Sequence, residues 1–127
     1  ATKSQIGERV GLIEVANKIE SPEAFTSKIL QKLVKNEIVF SLKGPGGGFY
    51  MDEENMSIIK IIQIVHCFDG DVFSKCSLGL NDCSDEVPCP IHSRYKPVKE
   101  KLKSIFENTS VKDLIKGLLN EETYLKI

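Results

Sequence analysis

Four glycines and one proline stand together at residues 44–48, between two short apolar segments. Glycine and proline punctuate regular structure, so this run must form a turn or an open loop. Residues 38–42 before it are rich in β-forming side chains, and residues 49–51 after it can return as a second strand. The pattern therefore predicts a β-hairpin with a glycine-rich tip.

Two helices are predicted ahead of this hairpin. Apolar residues recur at helical spacing over residues 11–19, at Leu12, Ile13, Val15, Ala16 and Ile19. A second helix should follow, with Ser21 as its N-cap and Pro22 in its first turn. Its expected apolar face consists of Phe25, Ile29, Leu30 and Leu33. Two helices joined by a turn and followed by a hairpin form the order of a winged helix-turn-helix.

The opposite face of the second helix predicts contacts with DNA. Ser27, Lys28 and Gln31 are suitable donors and acceptors for base edges, and Lys32 suits phosphates. In the hairpin, Lys43 and the backbone of Gly44, Pro45 and Gly46 can approach the sugar–phosphate backbone or the minor groove. Ser21 and Ala24 complete the predicted contact set. The alternatives are an ordinary solvated helix face and a plain hairpin turn.

The second half of the chain is predicted to be helical on either side of a loop. We expect a polar break at residues 52–55, then a largely buried helix over residues 58–66 capped by Ser57. A helix over residues 92–108 follows, with an apolar stripe at Val98, Leu102, Ile105 and Phe106, and a short helix starts at Val111. The long helix either buries its stripe against a second copy of the chain or packs on its own domain.

Charge and hydropathy limit the class of protein that the chain can be. The chain has 127 residues and a net charge of −1, so bulk charge gives no argument for nucleic acid. Charge is uneven, however: residues 1–50 carry seven Lys or Arg and five Asp or Glu, whereas residues 51–92 carry two and eight. No apolar run is long enough to span a bilayer, and no export signal begins the sequence. We therefore expect a cytoplasmic protein without a membrane partner.

The most distinctive ligand pattern is Cys76-x6-Cys83-x5-Cys89-x2-His92, within residues 70–92, a segment without periodicity that we call the cysteine loop. Thiolates and imidazole bind zinc and iron–sulfur clusters. The spacing is too wide for a zinc knuckle but can surround a [2Fe–2S] centre, with His92 as the fourth ligand. Free redox-active thiols, disulfides and a structural zinc ion are the alternatives. We interpret Cys67, outside the loop, as a buried core thiol.

A third class of function is an enzyme that uses Cys89 and His92 as nucleophile and base. Such a pair needs an oriented third group and a substrate pocket. Neither is visible in the sequence, so we do not expect an enzyme.

These features resemble the IscR/NsrR/CymR-type family of bacterial winged-helix transcriptional regulators. Residues 43–49, Lys-Gly-Pro-Gly-Gly-Gly-Phe, match the family's wing motif, and Cys-Pro-Ile-His at residues 89–92 is similar to the IscR branch. In that branch three cysteines and one histidine bind a [2Fe–2S] cluster. The resemblance implies that Cys76, Cys83, Cys89 and His92 are the ligands. It also implies a homodimer, joined through the long helix, on palindromic operator DNA.

The resemblance implies a fold class as well: mostly α with a small β-hairpin. A winged helix-turn-helix would occupy residues 1–55, and the sensing loop and dimerisation helices residues 56–127. Family chains begin with a helix of which only the tail could remain here, at Ala1–Ser4. Ser27 and Lys28 stand where relatives often carry Glu and Gln, so the operator should differ. The first cysteine gap is one residue longer than in the IscR pattern.

Overall fold

The computed structural model describes residues 1–5 and 7–125. That part of the chain contains seven helices and two strands: α1 (Thr2–Gln5), α2 (Leu12–Lys18), α3 (Glu23–Lys35), β1 (Phe40–Leu42), β2 (Gly48–Tyr50), α4 (Glu53–Ile58), α5 (Ile61–Asp69), α6 (His92–Asn108) and α7 (Val111–Leu119). This confirms a mostly α chain with one small hairpin. Two compact units result, one from the described residues of 1–59 and 110–125, the other from residues 60–109.

The predicted hairpin is present, and we call β1, β2 and their connection the wing. The strands are antiparallel, with Ser41 opposite Phe49, and the turn is closed by the Gly47 N–H, which donates to the Gly44 carbonyl at 2.9 Å. Val10 adds a third pairing segment, because its N–H and carbonyl both bond to Phe49, at 3.0 and 2.8 Å. Helices followed by a small antiparallel sheet confirm the winged helix.

The start of α3 differs from the prediction. The N-cap is Pro22 and the helix begins at Glu23, so Ser21 is not a side-chain cap. Thr26 and Leu30 are buried, four residues apart on the inner face, and the Thr26 hydroxyl donates to the Pro22 carbonyl at 3.0 Å. Phe25 is 59% exposed, so its assignment to the apolar face was wrong. A helix turns about 100° per residue, which carries Phe25 away from the face that holds Thr26.

The expected polar break at residues 52–55 is also wrong, because α4 begins there. Glu53 and Glu54 occupy its first turn, where carboxylates favour the positive end of the helix dipole. Ser57 therefore lies inside α4, and its hydroxyl donates to the Glu53 carbonyl instead of capping the next helix. The Ile-rich helix α5 starts later, after Lys60, and only Ile62 in it is buried, so the expectation of a largely buried helix is wrong.

The core of the first unit lies between α4, α7 and the helix-turn-helix. Its buried apolar residues are Ala16, Leu30, Ile38, Met51, Met56, Ile59, Val111 and Ile115. Helix α7 begins with a capping box: the Ser110 hydroxyl accepts from the Asp113 N–H at 3.1 Å, and the Ser110 N–H donates to the Asp113 carboxylate at 2.8 Å. This cap holds the chain where it returns to the first unit.

Replacing Ser110 with alanine should destabilise this unit by about 1 kcal/mol, since the cap satisfies a backbone N–H that would otherwise lack a partner. Urea unfolding followed by circular dichroism measures the change. The matched control is Ser57→Ala, because Ser57 is exposed inside a helix, where alanine is the better helix former. Equal midpoints for Ser110→Ala and the wild type would contradict the role of the cap.

The second unit pairs α5 with α6 and includes the cysteine loop. Phe73 from the loop contacts Phe106 of α6 edge to face, with ring centroids 5.7 Å apart. Phe106 is therefore half-buried against the cysteine loop. Four other apolar residues lie on the adjoining surface of the helix. These form what we call the α6 stripe, and they are exposed: Tyr95 by 38%, Val98 by 62%, Leu102 by 44% and Ile105 by 52%.

Lys99 of α6 is buried, at 8% exposure, and its ammonium donates to the Lys75 carbonyl at 2.6 Å. This bond ties the cysteine loop to the helix. Within the described residues, no helix combines the length and apolar character that crossing a bilayer requires.

Candidate functional site

The predicted DNA-contacting residues of the second helix lie along α3. Ala24, Lys28, Gln31 and Lys32 are exposed, whereas Ser21 and Ser27 are half-buried. The Gln31 side-chain amide donates to the Ser27 hydroxyl at 3.0 Å. Short polar and basic groups are therefore available on the outer face of α3, and two of the predicted base contacts are already hydrogen-bonded to each other.

Phe25 is exposed, although it was predicted to lie on the apolar face of its helix. It lies in the first turn of α3, close to Lys28 on the helix surface. Apolar side chains at this end of a recognition helix can contact the methyl group of thymine. The four-residue spacing of Thr26 and Leu30 could have indicated that these two residues form the buried face of the helix. Phe25 would then have been expected on the exposed side.

The wing presents its predicted residues at the tip. Lys43, Gly44, Pro45 and Gly46 are all exposed. Arg9, for which no role was predicted, donates to the Gly46 carbonyl at 3.1 Å.

The Arg9 guanidinium also lies over the ring of Tyr50, 5.7 Å from the centroid. An exposed cation is thereby held against the tip of the wing. No sequence motif indicates that Arg9 contacts the wing. Its position depends on the pairing of Val10 with β2.

Gly47→Ala should distort the wing. A Cβ atom at this position would overlap the Leu42 carbonyl oxygen and lie 2.8 Å from the Gly44 carbonyl oxygen, and backbone atoms cannot move aside cheaply. We expect a lower melting temperature and weaker DNA binding, measured by calorimetry and fluorescence anisotropy. Ser41→Ala, in the exposed face of β1, is the control. A variant with wild-type stability and affinity would contradict the close approach.

The cysteine loop folds as two short structures that each carry a pair of the predicted ligands. Lys75 and Asp82 form an antiparallel bridge, and the Cys83 N–H donates to the Ser74 carbonyl at 2.7 Å. Cys76 and Cys83 therefore lie on the two opposite segments of this miniature hairpin. The six residues between them are enough to form its turn.

The second structure is the turn that begins α6. The His92 N–H donates to the Cys89 carbonyl at 2.9 Å, so these two residues lie one turn apart. All four predicted ligands, Cys76, Cys83, Cys89 and His92, line one cavity of about 750 Å³.

Within the cavity the ligands approach in pairs, each with one member from the hairpin and one from the helix start. Cys83 Sγ lies 3.3 Å from His92 Nδ1, and Cys89 lies near enough to Cys76 to lower the pKa of its thiol. Among the described residues, no three Cys, His, Asp or Glu side chains converge into a single-ion site. Two pairs around one cavity suit a two-iron cluster, because each iron there takes two protein ligands.

The environment of Cys76 favours the thiolate. A hydrogen bond from the Leu78 backbone lowers the pKa of Cys76 below its ordinary value, and the side chain of Cys89 and the charge of Lys99 act in the same direction. Thiolate is the form that binds metals and reacts with oxidants. This chemistry is compatible both with a cluster and with a redox-active thiol.

His92 is hydrogen-bonded on its other side to Asp85, with Nε2 2.7 Å from the carboxylate. Lys96 also donates to Asp85, at 2.8 and 2.5 Å. The ion pair with Lys96 and the hydrogen bond from His92 hold the pKa of Asp85 below its usual range, and Asp85 raises the pKa of Lys96. The carboxylate is therefore charged beside the histidine.

The remaining thiol and histidine lie outside this cavity. Cys67 was interpreted as a buried core thiol, but it is half-buried in α5. His66 is exposed, and its Nε2 lies 3.9 Å from Asp71. The Cys89–His92 pair, which the enzyme alternative would require, is not the observed contact, because the thiol that hydrogen-bonds the His92 ring is that of Cys83.

Comparison with known proteins identifies related regulators. Residues 2–117 match the model of the family Rrf2, described as an iron-dependent transcriptional regulator. A predicted HTH-type transcriptional regulator of Aquifex aeolicus (strain VF5) is 33% identical over 105 residues, covering 80% of this chain and 72% of that protein. The HTH-type transcriptional regulator IscR of Xenorhabdus nematophila is 24% identical over 108 residues, covering 85% of this chain and 65% of its own length.

Solved structures show the same fold. CymR, the global cysteine regulator of B. subtilis, superposes with a TM-score of 0.69 at 16% identity, covering 87% of this chain and 80% of CymR. IscR of T. potens also gives a TM-score of 0.69, at 19% identity, covering 98% of this chain and 82% of its own. Both likenesses support the winged-helix architecture described above.

Proposed function

The chain belongs to the Rrf2 family of transcriptional regulators, and from that premise we propose that it is a homodimeric DNA-binding protein whose cysteine loop holds a [2Fe–2S] cluster. Like its relatives, which are transcriptional regulators, it is a regulator and not an enzyme. We expect it to act in the cytoplasm on palindromic operators. Cluster status, or redox and nitrosative stress, would be the signal.

The observation that carries the cluster proposal is the cavity with its two ligand pairs. Cys76 with Cys89 would hold one iron, and Cys83 with His92 the other. When bound, the cluster would supply a redox-active and oxidant-labile group. The loop is bonded to α6 through Lys99, so ordering the loop can brace the helix that carries the dimer contact.

Metal analysis of anaerobically purified protein tests this proposal. We expect iron and acid-labile sulfide in equal amounts, with the visible absorbance of an iron–sulfur chromophore that bleaches in air. Zinc without iron would favour the alternative of a structural zinc ion. Metal-free protein that still loses DNA binding on oxidation would favour free redox-active thiols. Either result would overturn the cluster.

The DNA-binding proposal rests on the exposed groups of α3 and the wing. Ser27, Lys28 and Gln31 would contact bases in the major groove, and Phe25 would contact a thymine methyl. Ser21, Ala24 and Lys32 would flank them. Lys43 and the Gly44–Pro45–Gly46 backbone would contact phosphates or enter the minor groove, with Arg9 supporting the tip.

Lys43→Ala should weaken operator binding and lower the salt slope of log Kd by about one, because one phosphate contact is lost. Lys28→Ala should also weaken binding, and it should relax sequence preference. Fluorescence anisotropy on a duplex selected from a random pool, at several salt concentrations, measures both. Lys101→Ala, exposed on α6, is the control. Unchanged affinity in both test variants would remove the proposed DNA surface.

The homodimer is proposed from the α6 stripe. Tyr95, Val98, Leu102 and Ile105 are spaced by three and four residues, the repeat of a coiled-coil seam, yet they are exposed in the single chain. An apolar seam of this kind is normally covered. A second copy of the helix would cover it with the same residues.

A further inference from the structure

The two ring nitrogens of His92 have different partners. Nε2 lies 2.7 Å from a carboxylate oxygen of Asp85, whereas Nδ1 lies 3.3 Å from the sulfur of Cys83 inside the cavity. The side chain of His92 is only 10% exposed, so most of the ring is shielded from solvent. The ring is therefore held in one orientation from both sides.

Asp85 is itself held in place from α6. Lys96 lies one helical turn after His92 and donates to both carboxylate oxygens of Asp85, at 2.8 and 2.5 Å. The carboxylate comes from the cysteine loop, but both of its partners belong to the same helix. Asp85 thus bonds two residues of one helix at once, His92 and Lys96.

We propose that Asp85 is a positioning residue that commits Nε2 of His92 to its hydrogen bond and leaves Nδ1 as the nitrogen facing the cavity. A carboxylate is a strong acceptor and cannot donate while ionised, so the hydrogen on the neutral ring must sit on Nε2. Carboxylates orient metal-binding histidines in the same way. The consequence for metal binding rests on the cluster proposed above.

The tautomer is tested first in the metal-free protein. Long-range ¹H–¹⁵N correlation spectra of histidine-labelled protein identify which nitrogen carries the hydrogen, at a pH where the ring is neutral. The chain has two histidines, and a His66→Gln variant assigns them. We expect His92 to carry its hydrogen on Nε2 alone in the wild type, and to become a mixture of tautomers in Asp85→Ala.

Glu86→Ala is the matched control, since Glu86 is the neighbouring exposed carboxylate and makes no described bond to His92. It should leave the spectrum of His92 unchanged. A hydrogen on Nδ1 in the wild type, or an Asp85→Ala spectrum identical to the wild type, overturns the proposal. In that case Asp85 only forms a surface ion pair with Lys96.

The second measurement uses protein loaded anaerobically with iron and sulfide. Pulsed electron paramagnetic resonance on the reduced protein, with ¹⁵N placed at Nδ1 or at Nε2, should show strong coupling to Nδ1 only. Asp85→Ala should retain iron about 10–100-fold more weakly than the wild type. Strong coupling to Nε2 overturns the proposal.

A wild-type protein that takes up no iron overturns the cluster and, with it, the metal-facing role of Nδ1. The spectra of the metal-free protein still decide whether Asp85 positions the ring. Failure of the positioning role and failure of the proposed function are thus separable.

Discussion

Cys83→Ala is expected to abolish stable iron binding. The Cys83 thiol contacts His92 Nδ1 in the cavity. Its loss removes one ligand of the Cys83–His92 pair and leaves His92 with water as its only partner on that side. Since the loss of an indirect partner costs about 10–100-fold in metal affinity, the loss of a direct ligand should cost at least as much. Iron and sulfide analysis after anaerobic reconstitution measures the effect.

Cys67→Ala is the matched control for this substitution. Cys67 lies in α5 and is not among the residues that line the cavity. It should retain the full iron content of the wild type. The same iron loss in both variants would indicate that the loss comes from misfolding, and full iron in Cys83→Ala would exclude Cys83 as a ligand.

Leu102→Asp is expected to separate the dimer and to lower operator affinity by roughly 100-fold or more. Leu102 lies in the middle of the α6 stripe, where a second copy would place the same residue nearby, and two buried like charges are strongly unfavourable. A palindromic operator is bound by two linked DNA-binding units, and unlinking them removes the gain from effective concentration. Sedimentation velocity and fluorescence anisotropy measure the two effects.

Ser104→Asp provides the control, because it adds the same charge to an exposed position on another side of α6. It should remain a dimer with wild-type affinity. If Leu102→Asp sediments as the wild type does, the α6 stripe is not the dimer contact. A monomeric variant that keeps full operator affinity would instead show that dimerisation is not needed for binding.

Much of the fold could be predicted because its signals are local. The glycines at residues 44–48 predict a turn whatever surrounds them, and the hairpin is found where they place it. The apolar spacing of α6 likewise predicts a helix over residues 92–108, which are its observed bounds. Local conformation and periodicity depend on few neighbours, so they are visible in the residue order.

The predictions were wrong where two conformations have similar local preferences and tertiary packing determines which one forms. Phe25 and Thr26 are both compatible with a buried helical face, and the core selects the smaller Thr26. The polar residues 52–55, three of them acidic, suit either a loop or a helix N-terminus, and the packing of Met56 and Ile59 favours α4. In the second case, propensity differences are small compared with the free energy of burying Met56 and Ile59.

The candidate site divides in the same way. Its chemistry was present in the residue types and spacing of Cys76, Cys83, Cys89 and His92, because thiols and imidazole have intrinsic metal affinities. The pairing of these ligands across the cavity, and the hydrogen bond from His92 to Asp85, were not predictable.

The sequence by itself determined the glycine-tipped wing, the helical periods and the set of possible ligands, since each depends on bonds and preferences within a few residues. Only the tertiary structure decided which nitrogen of His92 faces the cavity, which residues support the wing and which side of α6 stays uncovered. Those features depend on contacts between segments distant in the chain, and such contacts form only when the whole core is assembled.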